Sequence, residues 1–350
     1  MYNQDSGLKR EVAKRQNLKT TSILYKQYLS STQGNYTCTN LSESVEGLDE
    51  NSVYRFLKEH ELSPKFLWEK VRPLIEISEN GRIIFDDTVL NKEHSFNIEG
   101  VRRQYSGREH GIVKGIGVVT CLYYNPESNR SWIIDFRIFD PERDDKDKVD
   151  HVHDMINSLQ ERGIAFSTVL MDTWYAITKI LLHIEDLGKI YYCPIKSNRL
   201  VKETPSSPFT AVKDLIWNNL DLSRGKTVKL KGFPSTRQVK LFRIVISTDK
   251  TEYVVSNNMS LSSSDDCQKE IVVRWKIEAF HREIKQTTGI EKCQCRRNRS
   301  QRNHICLCMQ VWVFLSERAH RLKTTIYQVK NKAFKDFLAM QMRNPSLRYF

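Results

Sequence analysis

Apolar and polar positions alternate with helical spacing in the first 78 residues of the chain and with strand spacing after that. The stretch SPKFLWEKVRPLIE repeats apolar residues at helical intervals, and Ser63 and Pro64 at its start are typical of the first residues of a helix. From residue 82 onward, short apolar runs bounded by polar residues replace the helical stripes, and such runs are typical of buried strands. These strand-like runs lie at 82–86, 114–124, 130–139, 166–172 and 189–195.

The order of these segments predicts a mixed α/β fold. Three strands that follow one another directly are succeeded by a helix, a strand, a second helix and a final strand. After these, strand-like pieces alternate with turn-rich stretches and predict a β-rich insertion, and the rest of the chain is mostly helical. Two short helices predicted around Gly47 have the pattern of a helix-turn-helix, for which DNA binding and packing are both open roles. We therefore divide the chain into a helical N-terminal DNA-binding region, an α/β domain in two parts, the insertion, and a C-terminal helical region. Their bounds are 1–78, 79–195 with 263–320, 196–262, and 321–350.

The chain carries a large excess of positive charge. Lys and Arg number 55 against 42 for Asp and Glu, which gives a formal net charge of +13. An excess of this size indicates a polyanionic partner, for which DNA and RNA are the usual candidates. No apolar run reaches the roughly 18 residues that a membrane span needs, so we expect no membrane partner. The polar N-terminus also lacks the apolar core of a signal peptide, which predicts a cytoplasmic protein.

The eight cysteines are expected to be reduced thiols in that compartment. Cys293, Cys295, Cys306 and Cys308, together with His304, form a dense group that suggests a zinc site. Their CxC and HxCxC spacing differs, however, from the CxxC pairs of common zinc sites. Because the second cysteine pair lies within a strongly apolar stretch, we favour a buried helix over a zinc site.

Three aspartates stand where predicted strands end. Asp86 and Asp87 lie where the first strand runs out, and Asp172 lies where the fourth runs out. The ends of neighbouring strands are where α/β folds collect functional groups. Acids at such positions also cap turns and helices, so both roles stay open at this point.

A helix predicted to begin at Ser263 or Ser264 combines an apolar stripe with a charged one. At about 100° per residue, its apolar side chains fall within a narrow arc, and four polar side chains fall within a similar arc one residue further on. The apolar arc is the core face. The polar arc is either an ordinary solvated ion-pair face or part of a functional site. The apolar arc holds Val273, Ile277, Phe280 and Ile284, and the polar arc holds Arg274, Glu278, His281 and Lys285.

Taken together, three stretches of the chain resemble the DDE transposases of bacterial insertion sequences. Arg274, Glu278 and Lys285 have the spacing of the last three members of the Tyr–Arg–Glu–Lys signature of that group. Ile271 takes the place of the Tyr, so the contact of the tyrosine hydroxyl is missing, whereas the acids are intact. The three stretches are FDDTVLNKEHS, VLMDTWY and RWKIEAFHREIKQTTGIEKCQCRRNRSQRNHI.

The resemblance implies a ribonuclease H-like catalytic domain with metal-dependent chemistry on DNA. The implied catalytic acids and metal ligands are Asp87, Asp172 and Glu278. Asp86 is the alternative to Asp87. Carboxylate oxygens suit Mg²⁺, for which Mn²⁺ can substitute, and two such ions activate the attacking oxygen and stabilise the leaving oxygen of a phosphate. The implied partner is double-stranded DNA, as transposon ends and as target, bound by a homodimer on paired ends in association with the nucleoid.

Several cations near Glu278 are expected to hold this DNA. Arg274 and Lys285 share its helix face and would contact the phosphates on either side of the scissile bond. His281 would contact a phosphate, orient Glu278 or pack in the core, and these roles stay open. The basic stretch that follows is expected to contact the DNA backbone, because phosphate contacts supply most of the affinity of DNA-binding proteins. Its candidate residues are Arg296, Arg297, Arg299 and Arg302.

Two other functions remain as alternatives. The first is a DNA-binding protein derived from a transposase but without catalysis, against which the three intact acids argue. The second is a nuclease of the same fold that acts on RNA in hybrids or on DNA junctions, against which the β-rich insertion and the basic C-terminal helices argue. An active transposase is the function that the sequence favours.

Overall fold

The computed structural model describes residues 18–95, 97–107, 109–247 and 250–344, and the first of these ranges begins with helices. The predicted start at Ser63 is confirmed: its hydroxyl accepts a hydrogen bond from the Phe66 N–H at 3.2 Å, and Pro64 is the first helical residue. Residues 1–17 of the predicted N-terminal region lie outside the described residues. The helices are α1 (Ser22–Ser31), α2 (Cys38–Ser44), α3 (Glu50–Glu59) and α4 (Pro64–Val71).

Strands and helices alternate in the central part of the chain. Helix α6 begins with a capping box, in which the side chains of Asp147 and Asp150 each accept a backbone N–H of the other residue. This cap fixes the position of Lys148, the first residue of the helix. The elements are β1 (Arg82–Asn91), β2 (Arg102–Ser106), β3 (Gly111–Asn125), β4 (Arg130–Phe139), α5 (Pro141–Asp144), α6 (Lys148–Glu161), β5 (Thr168–Met171), α7 (Thr178–Asp186) and β6 (Ile190–Ile195).

The remaining elements are short strands followed by long helices. The strands and one short helix are β7 (Leu200–Lys202), β8 (Thr210–Ala211), α8 (Asn219–Arg224), β9 (Lys226–Leu230), β10 (Val239–Ser247) and β11 (Lys250–Ser256). The helices that end the described chain are α9 (Ser264–Val273), α10 (Trp275–Thr288), α11 (Asn298–Arg321) and α12 (Ile326–Arg343).

The strands pair into one mixed sheet, which confirms the predicted α/β fold. Strand β1 lies between β3, with which it is antiparallel, and β5, with which it is parallel. Strand β5 continues in parallel to β6, and β4 closes the other side of β3 as an antiparallel hairpin partner. The order β4–β3–β1–β5–β6 matches the ribonuclease H-like sheet that the resemblance implies.

The β-rich insertion extends this sheet. Strand β11 pairs antiparallel with β6, and β10, β9, β7 and β8 follow outward in that order. Phe242 and Val254, on the two central strands of the insertion, are fully buried, so these strands share the hydrophobic core of the sheet. The division of the chain into four regions stays a prediction.

Helix α11 is the centre of the helical layer and ties the N-terminal helices to the rest of the protein. Nearly all of its residues from Ser300 to Val313 are buried, including both of its cysteines. Asn303 donates to the carbonyls of Leu57 and His60 and accepts from the N–H of Leu62 at 2.8 Å. Buried polar groups need such partners, and these bonds fix helix α3 and the segment after it against α11.

Three element boundaries differ from the sequence-based expectation. Strand β1 does not end at Asp86 but continues to Asn91, because β3 pairs with it along its whole length. Helix α7 begins at Thr178 instead of Trp174, since the residues directly after β5 form a turn. The single helix expected from Ser263 onward is two helices that meet at Arg274.

None of the helices in the described part of the chain combines the length and the apolar character that a membrane-spanning segment requires.

Because the insertion shares the core of the sheet, we expect Phe242→Ala to destabilise the whole protein. Truncation of a buried aromatic side chain costs about 3–5 kcal/mol, whereas Val245→Ala, at a residue that is 61% exposed on the same strand, should change stability by less than about 0.5 kcal/mol. Thermal unfolding followed by circular dichroism measures both variants. A separate early transition in Phe242→Ala, with the remainder melting as in the wild type, would show that the insertion folds independently.

Candidate active site

The end of the parallel pairing between β1 and β5 brings two aspartates together. The last paired residues are Phe85 and Met171, so the next residues of the two strands are Asp86 and Asp172. Side chains at matching positions of neighbouring strands lie on the same face of a sheet, and consecutive side chains alternate between faces. Asp86 and Asp172 therefore share one face, and Asp87 points to the other.

The Asp86 carboxylate lies in a crowded acidic environment. Its side chain is 19% exposed. Burial, followed by the negative charges of Asp87 and Asp172, raises the pKa of Asp86 well above its ordinary value, and the nearby Arg274 guanidinium opposes this shift. A cation brought to this position would therefore gain from the concentrated negative charge.

Arg274 joins the second aspartate to the glutamate on helix α10. Its Nη1 lies 3.0 Å from Oε1 of Glu278 and 3.9 Å from Oδ1 of Asp172. The guanidinium is buried, whereas the Glu278 side chain remains 37% exposed. The break between α9 and α10 at Arg274 places this residue over the strand ends.

His281 is linked to the Asp86 backbone through Thr120, and its ring also lies near the Asp86 side chain. The Thr120 hydroxyl donates to the Asp86 carbonyl at 3.1 Å and therefore accepts the proton of His281 Nε2 at 2.8 Å. Burial, and then the charge of Lys285, lowers the pKa of His281 to about 3. The other ring nitrogen, Nδ1, lies 3.8 Å from Oδ2 of Asp86.

Asp87 has a separate set of partners on the opposite face of the sheet. Its Oδ2 lies 2.5 Å from Nζ of Lys148, the first residue of helix α6. Its Oδ1 accepts a hydrogen bond from the Tyr175 hydroxyl at 2.7 Å. Burial, and then the charge of Asp87, raises the pKa of Tyr175 well above its ordinary value, so the phenol stays a donor. Asp87 thus links β1 to α6 and to the turn after Asp172.

These carboxylates open into one cleft of about 1400 Å³. Two indole side chains stand at its walls: Trp174, which is 63% exposed, and Trp275, which is 47% exposed. The Lys196 ammonium lies 4.8 Å from the centre of the Trp174 ring. The cleft therefore offers oxygen ligands at its base and cationic and aromatic groups around them.

Comparison with known proteins decides the family. Residues 78–314 match the profile of the Transposase DDE domain, which covers more than half of the chain and all of the acids described above. The chain belongs to the DDE transposase family. No curated protein matches the sequence. Among solved structures, a piggyBac transposase synaptic complex with hairpin DNA superposes with a TM-score of 0.46 and 10% identity, over 93% of this chain and 72% of that chain.

The family assignment rests on the profile match. It confirms the resemblance to DDE transposases, a family that generally uses divalent metal ions. It does not extend to the bacterial insertion-sequence origin or to the Tyr–Arg–Glu–Lys signature, which stay predictions.

The carboxylates of this transposase suit a divalent metal ion in their chemistry. Asp86, Asp172 and Glu278 supply the hard oxygen donors that Mg²⁺ prefers, and burial followed by the charges of Asp87 and Asp172 raises the pKa of Asp86. Among the described residues, no three His, Cys, Asp or Glu side chains are grouped closely enough to hold an ion. The guanidinium of Arg274 instead stands between two of the carboxylates and compensates part of their charge.

The cations that the sequence assigns to DNA differ in where the transposase places them. Lys285 is buried, donates to the Val89 carbonyl at 2.7 Å and lies 3.0 Å from a carboxylate oxygen of Glu291. Arg297 is 71% exposed and pairs with Glu99 at 2.9 Å, outside the acidic cleft. Of the other basic candidates, Arg296 and Arg299 are exposed and Arg302 is half-buried.

Three residues that touch the acids were missed by sequence analysis. Thr120 is a lone polar residue in the apolar run of β3, and this is a signal that the pattern does contain. Tyr175 belongs to the stretch WYAITKILLHIEDL, whose apolar spacing predicts a helix. Lys148 is the last residue of the polar run DPERDDKDK. Neither of these two residues has a local signal, because each meets Asp87 only through the tertiary fold.

We expect His281 to remain neutral, with its proton on Nε2, down to about pH 4. Its pKa in the folded protein is lowered to about 3 from an ordinary value near 6.5, so its contribution to stability is full above pH 6.5 and is lost as the pH falls toward 3. Nitrogen-15 NMR of the imidazole, assigned with His281→Gln, measures the tautomer and the titration. A midpoint near pH 6.5 would contradict the buried, Thr120-bound arrangement.

Proposed function

We propose that this transposase binds the terminal inverted repeats of its element and catalyses metal-dependent strand cleavage and strand transfer. The observation that supports this function is that carboxylates from two strand ends and one helix line a single cleft. Transfer at a phosphodiester needs little covalent chemistry from the protein and depends mainly on positioning and electrostatic stabilisation. Carboxylates that bind metal ions, together with basic side chains around them, meet that requirement.

We infer that Asp86, and not Asp87, is the first catalytic acid. Asp86 shares the sheet face of Asp172 and is electrostatically coupled to it. The two oxygens of Asp87 are engaged by Lys148 and Tyr175 on the other face. Asp87 is then a positioning residue that holds the turn after Asp172 in place.

Asp86, Asp172 and Glu278 would hold Mg²⁺, with Mn²⁺ as a substitute. Bound there, the ions supply activation of the attacking oxygen and stabilisation of the leaving oxygen. Arg274 holds Asp172 and Glu278 near each other and adds positive charge to the lining of the cleft. His281 and Thr120 fix the Asp86 backbone through its carbonyl.

The macromolecular partner in this proposal is double-stranded DNA, as transposon ends and as target, with two copies of the chain on paired ends. Arg296 and Arg299 are exposed and therefore available for phosphates. Lys285, which is bound to Val89 and Glu291, supports the helix end and has less access to DNA. Residues 1–78 and the C-terminal helices remain candidates for reading the repeat sequence.

The choice between the two aspartates is tested by Asp86→Asn and Asp87→Asn. Asp86→Asn removes a proposed metal ligand and should lower the cleavage rate by roughly 10³-fold or more, which corresponds to an activation barrier higher by about 4 kcal/mol. Asp87→Asn removes only a positioning residue and should lower the cleavage rate by about 10–100-fold. The measurement is cleavage of a labelled duplex that carries the end of the element, with Mg²⁺ and with EDTA.

Binding of the same duplex, measured by fluorescence anisotropy, is the control that both variants are folded. The wild type should cleave only with the metal ion, and both variants should bind. The assignment is wrong if Asp86→Asn retains cleavage while Asp87→Asn abolishes it. Cleavage by the wild type in EDTA would refute the metal-dependent mechanism as a whole.

A further inference from the structure

A two-stranded ribbon projects from the sheet beside the acidic cleft. The pairing between β1 and β3 ends with Asn91 opposite Gly115. From Gly115 to Gly111, β3 is paired on its other side with β2, from Arg102 to Ser106. The ribbon formed by these two segments therefore extends past the end of β1.

One face of this ribbon carries two cations and two apolar side chains. Arg103 lies directly opposite Lys114, and Tyr105 lies directly opposite Ile112. Since side chains two residues apart on a strand share a face, these four side chains form one surface, which we call the ribbon face. Arg103 is exposed, and Tyr105 and Ile112 are 53% and 66% exposed.

The opposite face of the ribbon is held against the protein. Arg102 donates to Asp140, which follows β4, at 2.6 Å, whereas the bond from the Gln104 amide to the Gly115 carbonyl at 3.1 Å lies within the ribbon. Ser106 is buried. Because its inner side is anchored in this way, the ribbon presents the ribbon face in a fixed orientation.

The charge of the ribbon favours an anionic partner. Two cations directly opposite each other on neighbouring strands destabilise a hairpin, and an anion placed over them removes that repulsion. In the sequence, residues 102–115 hold four cations (Arg102, Arg103, Arg108 and Lys114) against the single carboxylate of Glu109. Carboxylates from outside the ribbon also contact it: Asp140 accepts a hydrogen bond from Arg102 at 2.6 Å, and Glu93 accepts the backbone N–H of Lys114 at 3.2 Å.

The ribbon face is continuous with the face of the sheet that carries Asp86. Thr120 lies opposite Asp86, and alternation along β3 places Ile112 and Lys114 on the same side as Thr120. Eight residues at about 3.3 Å each separate Thr120 from Ile112 by roughly 26 Å. Tyr105 and His110 also line the acidic cleft, so one bound molecule can reach both places.

We propose that the ribbon face binds the duplex DNA that flanks the phosphate held in the acidic cleft. A two-stranded ribbon fits the major groove, where cations meet phosphates and apolar side chains meet base edges. A span of roughly 26 Å corresponds to about eight base pairs at about 3.4 Å each. This inference rests on the proposed function, because it takes the molecule in the cleft to be DNA.

The first test is the charge reversal Arg103→Glu, with Lys269→Glu on α9 as the matched control. The Lys269 side chain is 76% exposed, so both variants make the same change in surface charge. The probe is a fluorescein-labelled 40-base-pair duplex of mixed sequence, about five times the inferred span, because phosphate contacts are independent of sequence. We expect Arg103→Glu to weaken binding about tenfold and to reduce the slope of log K against log salt by about one, with no such change in the control.

The second test places a benzophenone amino acid at Tyr105, and at Phe314 as the control, since both side chains are at least half exposed. The protein is irradiated in complex with a duplex that carries the end of the element. The benzophenone at position 105 should then crosslink to DNA about eight base pairs from the cleavage position. This variant does not depend on the effect of a charge change on folding.

The outcomes separate the two proposals. If the wild type binds and cleaves DNA while Arg103→Glu behaves like Lys269→Glu and the Tyr105 site gives no DNA crosslink, only the ribbon inference is overturned. A crosslink from that site to a second copy of the chain, with DNA affinity unchanged, overturns it in favour of a protein interface. If the wild type shows neither binding nor cleavage, the proposed function fails and the inference fails with it.

Discussion

Mutual repulsion among carboxylates at the end of two parallel strands is the constraint around which this site is built. Asp86, Asp87 and Asp172 are close enough for the charges of the latter two to raise the pKa of the first. Partial burial strengthens the repulsion, because the effective dielectric constant is lower than in water. The fold offsets it with Arg274 on one face of the sheet and Lys148 on the other. Both cations stand at helix starts, so the helix positions and the charge balance depend on each other.

The pleat of β1 gives two adjacent aspartates different environments. Asp86 faces α10 and the neutral His281, whereas Asp87 faces α6 and Tyr175. The bond from Tyr175 to Asp87 closes the turn after Asp172 onto the neighbouring strand. Because Asp87 anchors this turn, it also fixes the position of Asp172, which precedes the turn. Rigid elements keep functional groups in place in this way.

Periodicity was enough to predict the strands, the capped helix starts and the order of the α/β layer, because these depend on neighbours in sequence. It also located Asp86, Asp87, Asp172 and Glu278, but not Glu252, which lines the same cleft. It could not predict which way Asp86 and Asp87 face, since that depends on the register with β3 and β5. Nor could it predict that Lys285 is buried, because the polar arc of α10 meets Val89 and Glu291, which come from distant parts of the chain.

The burial of these cations changes where DNA affinity must arise. Arg274 and Lys285 each lie against carboxylates inside the protein, so they shape the local field but release few counterions from DNA. The salt-dependent part of binding scales with the number of phosphates that exposed cations neutralise. The positive excess of the chain must therefore act through surface groups such as Arg103, Arg296 and Arg299. Catalytic positioning and DNA affinity are then carried by different cations, and mutation can separate the two.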